Sequence, residues 1–463
     1  MSFRKTCLAF FGAFAALQGV YAGLDLSSNS TVTVYWGQNS FRGTGDLAQQ
    51  RLGYYCDDPN IDVIILAFLM TINGPGGAPE IDFATSSEKC ETFAGTNLKS
   101  CPEIGTDITT CQSKNKTILL SIGGATYSEG GFASEMAAEA GADLLWATFG
   151  PPQTPTTETD RTSGQGRGHA VQAHRPFGTA ILDGFDFDFE AAVTNMAPFA
   201  KRLRSLADAD TAESQRTYFL TAAPQCPFPD AADREILNTD ASATIDAVWV
   251  QFYNNYCGVN AYSSGSVGNF NFETWDTWAL TESKNPNVKV YLGVPANTGA
   301  AGTGYLPISS LSPVIQYSKQ FESFGGVMMW DVSQAYGNQG FLDGVRGALR
   351  GTGNVQGPNK GEEDIPVLEV EDSSASGSAS EEETVSTSAP ESEPQQPWLF
   401  PFVTQQEATT SAEDASADAD ASPVAPQSGE LQDNQDESAE QSADRPLLPS
   451  FMEPDADLPW IEI

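Results

Sequence analysis

The chain has 463 residues, enough for more than one ordinary domain or for one large α/β barrel with added segments. Its 61 Asp and Glu outnumber 23 Lys and Arg, and a formal charge of −38 disfavours nucleic acid and anionic membrane surfaces as partners. With only two histidines, His169 and His174, a histidine-built metal centre is not expected.

Residues 1–22 read as a secretory signal peptide. Arg4 and Lys5 precede an apolar run from Cys7 to Val20, and Val20-Tyr21-Ala22 supplies a small-residue cleavage site. The run is short for a bilayer span and polar Ser27-Ser28-Asn29-Ser30 follows it, so no transmembrane segment is expected here or later. The mature protein is therefore expected to be secreted and extracellular. Loss of the leader removes Cys7 and leaves Cys56, Cys90, Cys101, Cys111, Cys226 and Cys257. An even count outside the cell implies three disulfides, and spacing alone leaves fifteen pairings open. Asn29-Ser30-Thr31 and Asn115-Lys116-Thr117 are glycosylation sequons.

Residues 23–351 alternate β-type apolar runs with helical patterns. The runs are Thr31–Trp36, Asp62–Phe68, Thr117–Ile122, Ile181–Glu190, Tyr218–Ala223, Ala247–Tyr253, Val288–Val294 and Gly325–Trp330. Helices are expected at Glu135–Phe149, Met196–Asp208, Glu273–Ser283, Leu311–Phe321 and Gly340–Arg350. Eight alternations predict an α/β fold of the (β/α)₈ TIM-barrel type, although a doubly wound open sheet also alternates. From Pro151 to Arg175 the pattern lapses into turn formers, a long surface loop just ahead of the fourth strand.

After Gly351 the composition changes. Residues 352–463 hold 26 acidic residues against Lys360 and Arg445, are rich in Ser, Ala, Gln and Pro, and are expected to form a disordered acidic tail. Pro397–Val403 and Leu447–Ile463 are apolar islands within it, and its end lacks the hydrophobic stretch of a lipid-anchor signal.

The chemistry concentrates in Ile181-Leu182-Asp183-Gly184-Phe185-Asp186-Phe187-Asp188-Phe189-Glu190. On a strand, Asp186, Asp188 and Glu190 share one face and Phe185, Phe187 and Phe189 the other. Three neighbouring carboxylates repel, so at least one should hold its proton above the ordinary pKa, as acid catalysis requires. A calcium loop is disfavoured, since the glycine and oxygen-ligand spacing is missing.

Asp183–Glu190 matches the DGxDxDxE signature of glycoside hydrolase family 18, and residues 30–350 resemble a class III chitinase of fungal and plant type. Tyr35-Trp36-Gly37-Gln38-Asn39, Ser121-Ile122-Gly123-Gly124, Gln251-Phe252-Tyr253-Asn254-Asn255 and Met328-Met329-Trp330-Asp331 resemble that family's motifs on strands one, three, six and eight. The resemblance implies substrate-assisted hydrolysis with retention, an exception to the two-carboxylate route. By this resemblance Glu190 is the general acid, Asp188 orients the substrate's acetamido group, Asp186 shares a proton with Asp188, and Tyr253 donates its hydroxyl. Trp330 would floor the −1 sugar site, with Gln251, Asn254, Gln38 and Tyr35 around it. Asp183, Ser121, Gly123 and Gly124 are expected to be structural.

The resemblance also suggests disulfides Cys56–Cys111, Cys90–Cys101 and Cys226–Cys257. It implies a monomer that acts on chitin or chito-oligosaccharides without cofactor or metal, extracellular or wall-associated. A lectin-like binding protein and an endo-β-N-acetylglucosaminidase are its alternatives. Against related chains, Pro151–Arg175 carries about twenty extra residues, either an insertion or a translated retained intron.

Overall fold

The computed structural model describes residues 23–152, 173–263 and 266–351. The expected signal peptide, the acidic tail and residues 153–172 lie outside them. Eight strands form the centre: β1 (Thr31–Trp36), β2 (Val63–Thr71), β3 (Thr117–Gly123), β4 (Gly184–Asp188), β5 (Phe219–Ala222), β6 (Ala247–Gln251), β7 (Lys289–Pro295) and β8 (Phe324–Trp330). Each pairs in parallel with the next, and β8 pairs back onto β1 with Thr31 opposite Gly326 and Val34 opposite Met329. The sheet is closed, so the expected (β/α)₈ barrel is found and the open-sheet alternative fails.

Closure gives every strand two buried faces, which explains why β1 and β2 read as nearly unbroken apolar runs. On β2, Val63, Ile65 and Ala67 fill the barrel interior with Tyr35, Leu119, Trp249, Tyr291 and Met328. Ile64 and Leu66 instead face the surrounding helices. Those helices are α1 (Pro102–Ser113), α2 (Glu135–Phe149), α3 (Met196–Ser214), α4 (Phe272–Thr277), α5 (Ile308–Ser318) and α6 (Phe341–Arg350). The Ser134 side chain caps α2 by accepting from the Ala137 amide at 3.2 Å. Helix α1 was not anticipated. Its Pro102 suits a first helical turn, but its Thr and Gly content blurs the apolar stripe that would have announced it.

Several expected elements change length, with α3 running on to Ser214 rather than Asp208. The fourth strand covers Gly184–Asp188 rather than Ile181–Glu190. Ahead of it, the Asp183 carboxylate leaves the ladder to accept from the Ile118 amide, Gln112 and Arg216, the structural role foreseen for it. Glu190 falls just past the strand end. The expected helix Glu273–Ser283 divides into α4 and a wider π turn over Trp278–Glu282.

The aromatic face of β4 anchors it to its neighbours. Phe187 packs edge-on to Phe199 of α3 at 6.1 Å, and Phe185 lies 6.4 Å from Phe149 of α2. The three disulfides pair as the family resemblance implies, with Cα separations of 5.1 Å for Cys56–Cys111, 5.0 Å for Cys90–Cys101 and 5.9 Å for Cys226–Cys257. Where the chain resumes, Arg175 donates to the carbonyls of Ala147, Gly178 and Ala180, and the Leu182 amide donates to Phe149 O. These bonds seat β4 on the end of α2.

Two outcomes follow from this packing. Phe187→Ala should cost about 3–5 kcal/mol of unfolding free energy in urea titrations, because a fully buried ring is lost next to α3. Excision of residues 153–172 should leave the melting temperature within a few degrees of the parent, and a collapse in calorimetry would show that β4 depends on that segment.

Candidate active site

Parallel register places the polar residues of the barrel mouth. Ser121 on β3 stands opposite Asp186 on β4, and Asp186 opposite Thr221 on β5. All three point inward at one level, so the hydroxyls reach the carboxylate. Ser121 donates to Asp186 Oδ2 at 2.7 Å and Thr221 to Oδ1 at 2.6 Å. Tyr35 crosses the interior from β1 and donates to Oδ2 at 2.8 Å. Burial raises the Asp186 carboxyl above its ordinary value, and the hydroxyls pull it back. Three donors favour the ionised form of this group over that of its neighbours.

Asp188 sits one step nearer the mouth at 4 % exposure. It accepts from Gln251 Nε2 at 2.9 Å, and the same nitrogen donates to Ala223 O at 2.8 Å. Burial, then the charges of Glu190 and Asp186, hold its carboxyl well above the ordinary range, while Gln251 opposes the shift. Glu190 keeps more surface open to solvent than either aspartate. The surrounding wall still strips enough water to raise its carboxyl too. With three donors on Asp186 and one on Asp188, the proton of this trio is favoured on the Asp188–Glu190 side. The repulsion expected from the sequence therefore acts, but burial is the larger cause.

Tyr253 lies just past β6, buried at 8 % exposure. Burial and the facing charges of Asp188 and Glu190 keep its phenol well above the ordinary value, so it remains a donor. Trp330 ends β8, half-buried, stacked on Phe68 at 5.9 Å and tilted against Tyr35 at 5.5 Å. It is thus a rim aromatic rather than a core one. Gly123 and Gly124 do let backbones meet: the Gly124 amide donates to Asp188 O at 2.7 Å, and a Cβ on Gly123 would lie 2.1 Å from that oxygen.

The remaining expected site residues act as braces. Gln38 donates to Ala67 O at 2.7 Å and Asp82 O at 3.2 Å, tying the middle of β2 to the segment that carries Asp82. Asn254, exposed and in the left-handed region at φ 57°, exchanges bonds with the Thr303 backbone and gives none to the carboxylates. Sequence reasoning treated Ser121 as packing and did not mention Thr221. The signal was available in Phe219-Leu220-Thr221-Ala222, where one hydroxyl interrupts an apolar strand. Among the described residues, no group of three His, Cys, Asp or Glu could hold a metal ion.

Comparison with known proteins agrees with this geometry. A family model described as glycosyl hydrolases family 18 matches residues 31–305. The chain belongs to glycoside hydrolase family 18. A class III chitinase of Arthroderma benhamiae is 48% identical over 351 residues, 75% of this chain and 94% of that protein. Endochitinase 33 of Trichoderma harzianum is 44% identical over 345 residues, 74% of this chain and 98% of that one. Among solved structures, a xylanase–α-amylase inhibitor protein in complex with trehalose shares 33% identity at TM-score 0.52, covering 69% of this chain and 99% of its own. The ICChI chitinase of Ipomoea carnea shares 27% identity at TM-score 0.52, with coverage of 69% and 100%.

A hydrogen bond to a charged group is worth about 1.5–3 kcal/mol. Tyr35→Phe, which strips one donor from Asp186, should therefore lower kcat on a family 18 substrate by roughly 10–100-fold. Steady-state kinetics with KM followed separately tests this, and an unchanged kcat would mean that Asp186 does not depend on its hydroxyl cage.

Proposed function

We propose that the protein is a secreted chitinase that hydrolyses β-1,4 bonds between N-acetylglucosamine units, with the substrate's own acetamido group as nucleophile. One observation carries the mechanism. Of the three carboxylates on and after β4, only Glu190 is open to solvent, while Asp186 at 0 % and Asp188 at 4 % exposure are enclosed and hydrogen-bonded. A two-carboxylate glycosidase needs its second carboxylate at the anomeric carbon, or beside a water on the opposite face. Neither aspartate is free to take that place. The nucleophile is then supplied by the sugar, which requires an N-acetyl group at C2.

In this reading Glu190 protonates the leaving glycosidic oxygen as the acetamido carbonyl closes on the anomeric carbon. The ring nitrogen of the resulting oxazolinium gains positive charge, and Asp188 faces it as the anion, held by Gln251. Tyr253 donates to the acetamido oxygen, and the Trp330 face supports the sugar ring. Water then attacks the anomeric carbon from the face the leaving sugar vacated and breaks its bond to the acetamido oxygen, while Glu190 takes the water's proton. This restores the acid and gives net retention. Asp186 stays at the back as the caged charge against which Asp188 titrates, so the pair is described by shared rather than separate pKa values.

The substrate class comes from the relatives, two of which carry the names class III chitinase and endochitinase. The inhibitor protein with the same fold favours a second reading, a family 18 barrel that only binds. Glu190 and Asp188, the latter held by Gln251, support the enzyme instead. An endo-β-N-acetylglucosaminidase would use the same acid, and a glycoprotein substrate assayed beside chitin separates the two. Three formed disulfides and exposed Asn29 and Asn115 in their sequons support an oxidising, extracellular location, with the protein acting as a monomer free or at a cell wall. No described helix is long and apolar enough to cross a membrane.

Glu190→Gln should lower kcat on soluble chito-oligosaccharides by about 10²–10⁴-fold, the usual worth of a general acid, while oligosaccharide binding persists in calorimetry. Oligomers of unacetylated glucosamine should bind without turnover. Hydrolysis of those oligomers at a comparable rate would exclude substrate assistance.

A further inference from the structure

The loop leaving β5 carries two more acids. Asp230 and Asp233 are buried, at 6 % and 0 % exposure, yet their surroundings differ in kind. Asp230 is surrounded by backbone donors: its Oδ1 accepts from the amides of Ala232 at 2.8 Å and Asp233 at 2.7 Å, and its Oδ2 from Gln225 at 3.1 Å. For Asp233, no donor among the described residues reaches either carboxyl oxygen. It precedes the short helix Arg234–Leu237, but its side chain does not cap that helix. The charged and titratable groups that face it are Asp230 on its own loop and Asp188 and Asp186 on β4. Each of these can only add negative charge.

A buried carboxylate without donors is among the most costly groups a protein can hold, whereas its protonated form loses far less on burial. When two neighbouring acids differ this sharply in donors, their protonation states are driven apart. Asp230 is the member built to be an anion. Burial, then the charges of Asp230, Asp188 and Asp186, hold the Asp233 carboxyl well above its ordinary value, in the same direction as the geometry.

We propose that Asp233 is kept as a neutral carboxylic acid facing the Asp186–Asp188 pair, and that holding this proton makes the fold progressively less stable as pH rises above the ordinary aspartate range. It touches no reacting atom, and while neutral it adds no further negative charge beside Asp188. This inference does not rest on the hydrolytic reading above.

The sign of the stability effect follows from linkage. As pH rises past the ordinary aspartate value of about 4, the unfolded chain releases this proton before the folded one does. Asp233 therefore subtracts stability progressively until the folded carboxyl itself ionises. An uncharged residue at this position escapes that loss at every pH.

The test uses the full-length, disulfide-intact protein and its Asp233→Asn and Asp233→Leu variants. Asparagine matches the neutral acid in shape, and leucine fills the space without a donor should asparagine fold poorly. Melting temperature is followed by calorimetry from about pH 4 to about pH 8. The advantage of the variants over the parent should grow by several degrees across that range. A pH-independent gap, or variants that lose ground as pH rises, would overturn the neutral-acid assignment. A parent protein without hydrolytic activity would count against the proposed function and leave the calorimetric comparison intact.

Discussion

The rest of the site depends on a single buried carboxylate and the three hydroxyls that surround it. Asp186 has no contact with solvent, and a charge in that position is costly unless it is fully hydrogen-bonded. Ser121 and Thr221 reach it because β3 and β5 flank β4 in register. Tyr35 reaches it only because the sheet is closed, since β1 is not a neighbour of β4 along the sheet and arrives across the interior. Barrel closure is thus an electrostatic requirement of the site as well as a way of removing sheet edges.

From that fixed point the three carboxylates form a gradient along one strand face. Asp186 is enclosed and rich in donors, Asp188 is enclosed with a single amide donor, and Glu190 stands at the opening. Strand periodicity alone gives them a common face, but it does not say which will be the acid. The environment decides. Each step outward trades hydrogen-bond donors for solvent access, so Glu190 is the carboxyl of the three that is open at the mouth. The termination of β4 at Asp188 contributes, because it releases Glu190 from the ladder into the mouth.

Much of this was legible in the sequence, for reasons that can be named. Period-two alternation exposed the acid face of β4, and eight apolar runs marked the strands, because barrel strands are buried on both sides. The pairing of Ser121 and Thr221 with Asp186 was not legible. It depends on the register between strands, a property of the closed barrel that no single segment encodes. Gln38 and Asn254 show the converse. Both stand in motifs that resemble those of the family and lie beside the site in sequence, yet their side chains fasten loop backbones. Helix α1 escaped notice because tertiary packing of Ile104, Ile108 and Cys111 stabilises it more than its own propensity does. Asp233 illustrates a further limit, since an acid in a loop reads as solvated until the fold is known to bury it.

Rigidity around Asp188 is built from outside the strands. Cys226–Cys257 ties the loop after β5 to the loop after β6, and the Cys226 carbonyl accepts from Asn271 and from the Trp275 indole. Asn255 donates to Gln225 Oε1 at 3.0 Å, while Asn254 locks onto the loop that carries Thr303. Between these fastenings lie Gln251 and Tyr253, both of which face Asp188. Their positions are therefore set before any ligand arrives. The disulfide is commonly viewed as a stabiliser through chain entropy, worth about 4 kcal/mol for a loop of this length. Here its more consequential role is geometric. A chain that must hold several acids in a dry pocket has little tolerance for movement, because any donor that drifts leaves a buried charge without a partner. The fastened loops keep the donors in place, and the donors make the acids tolerable.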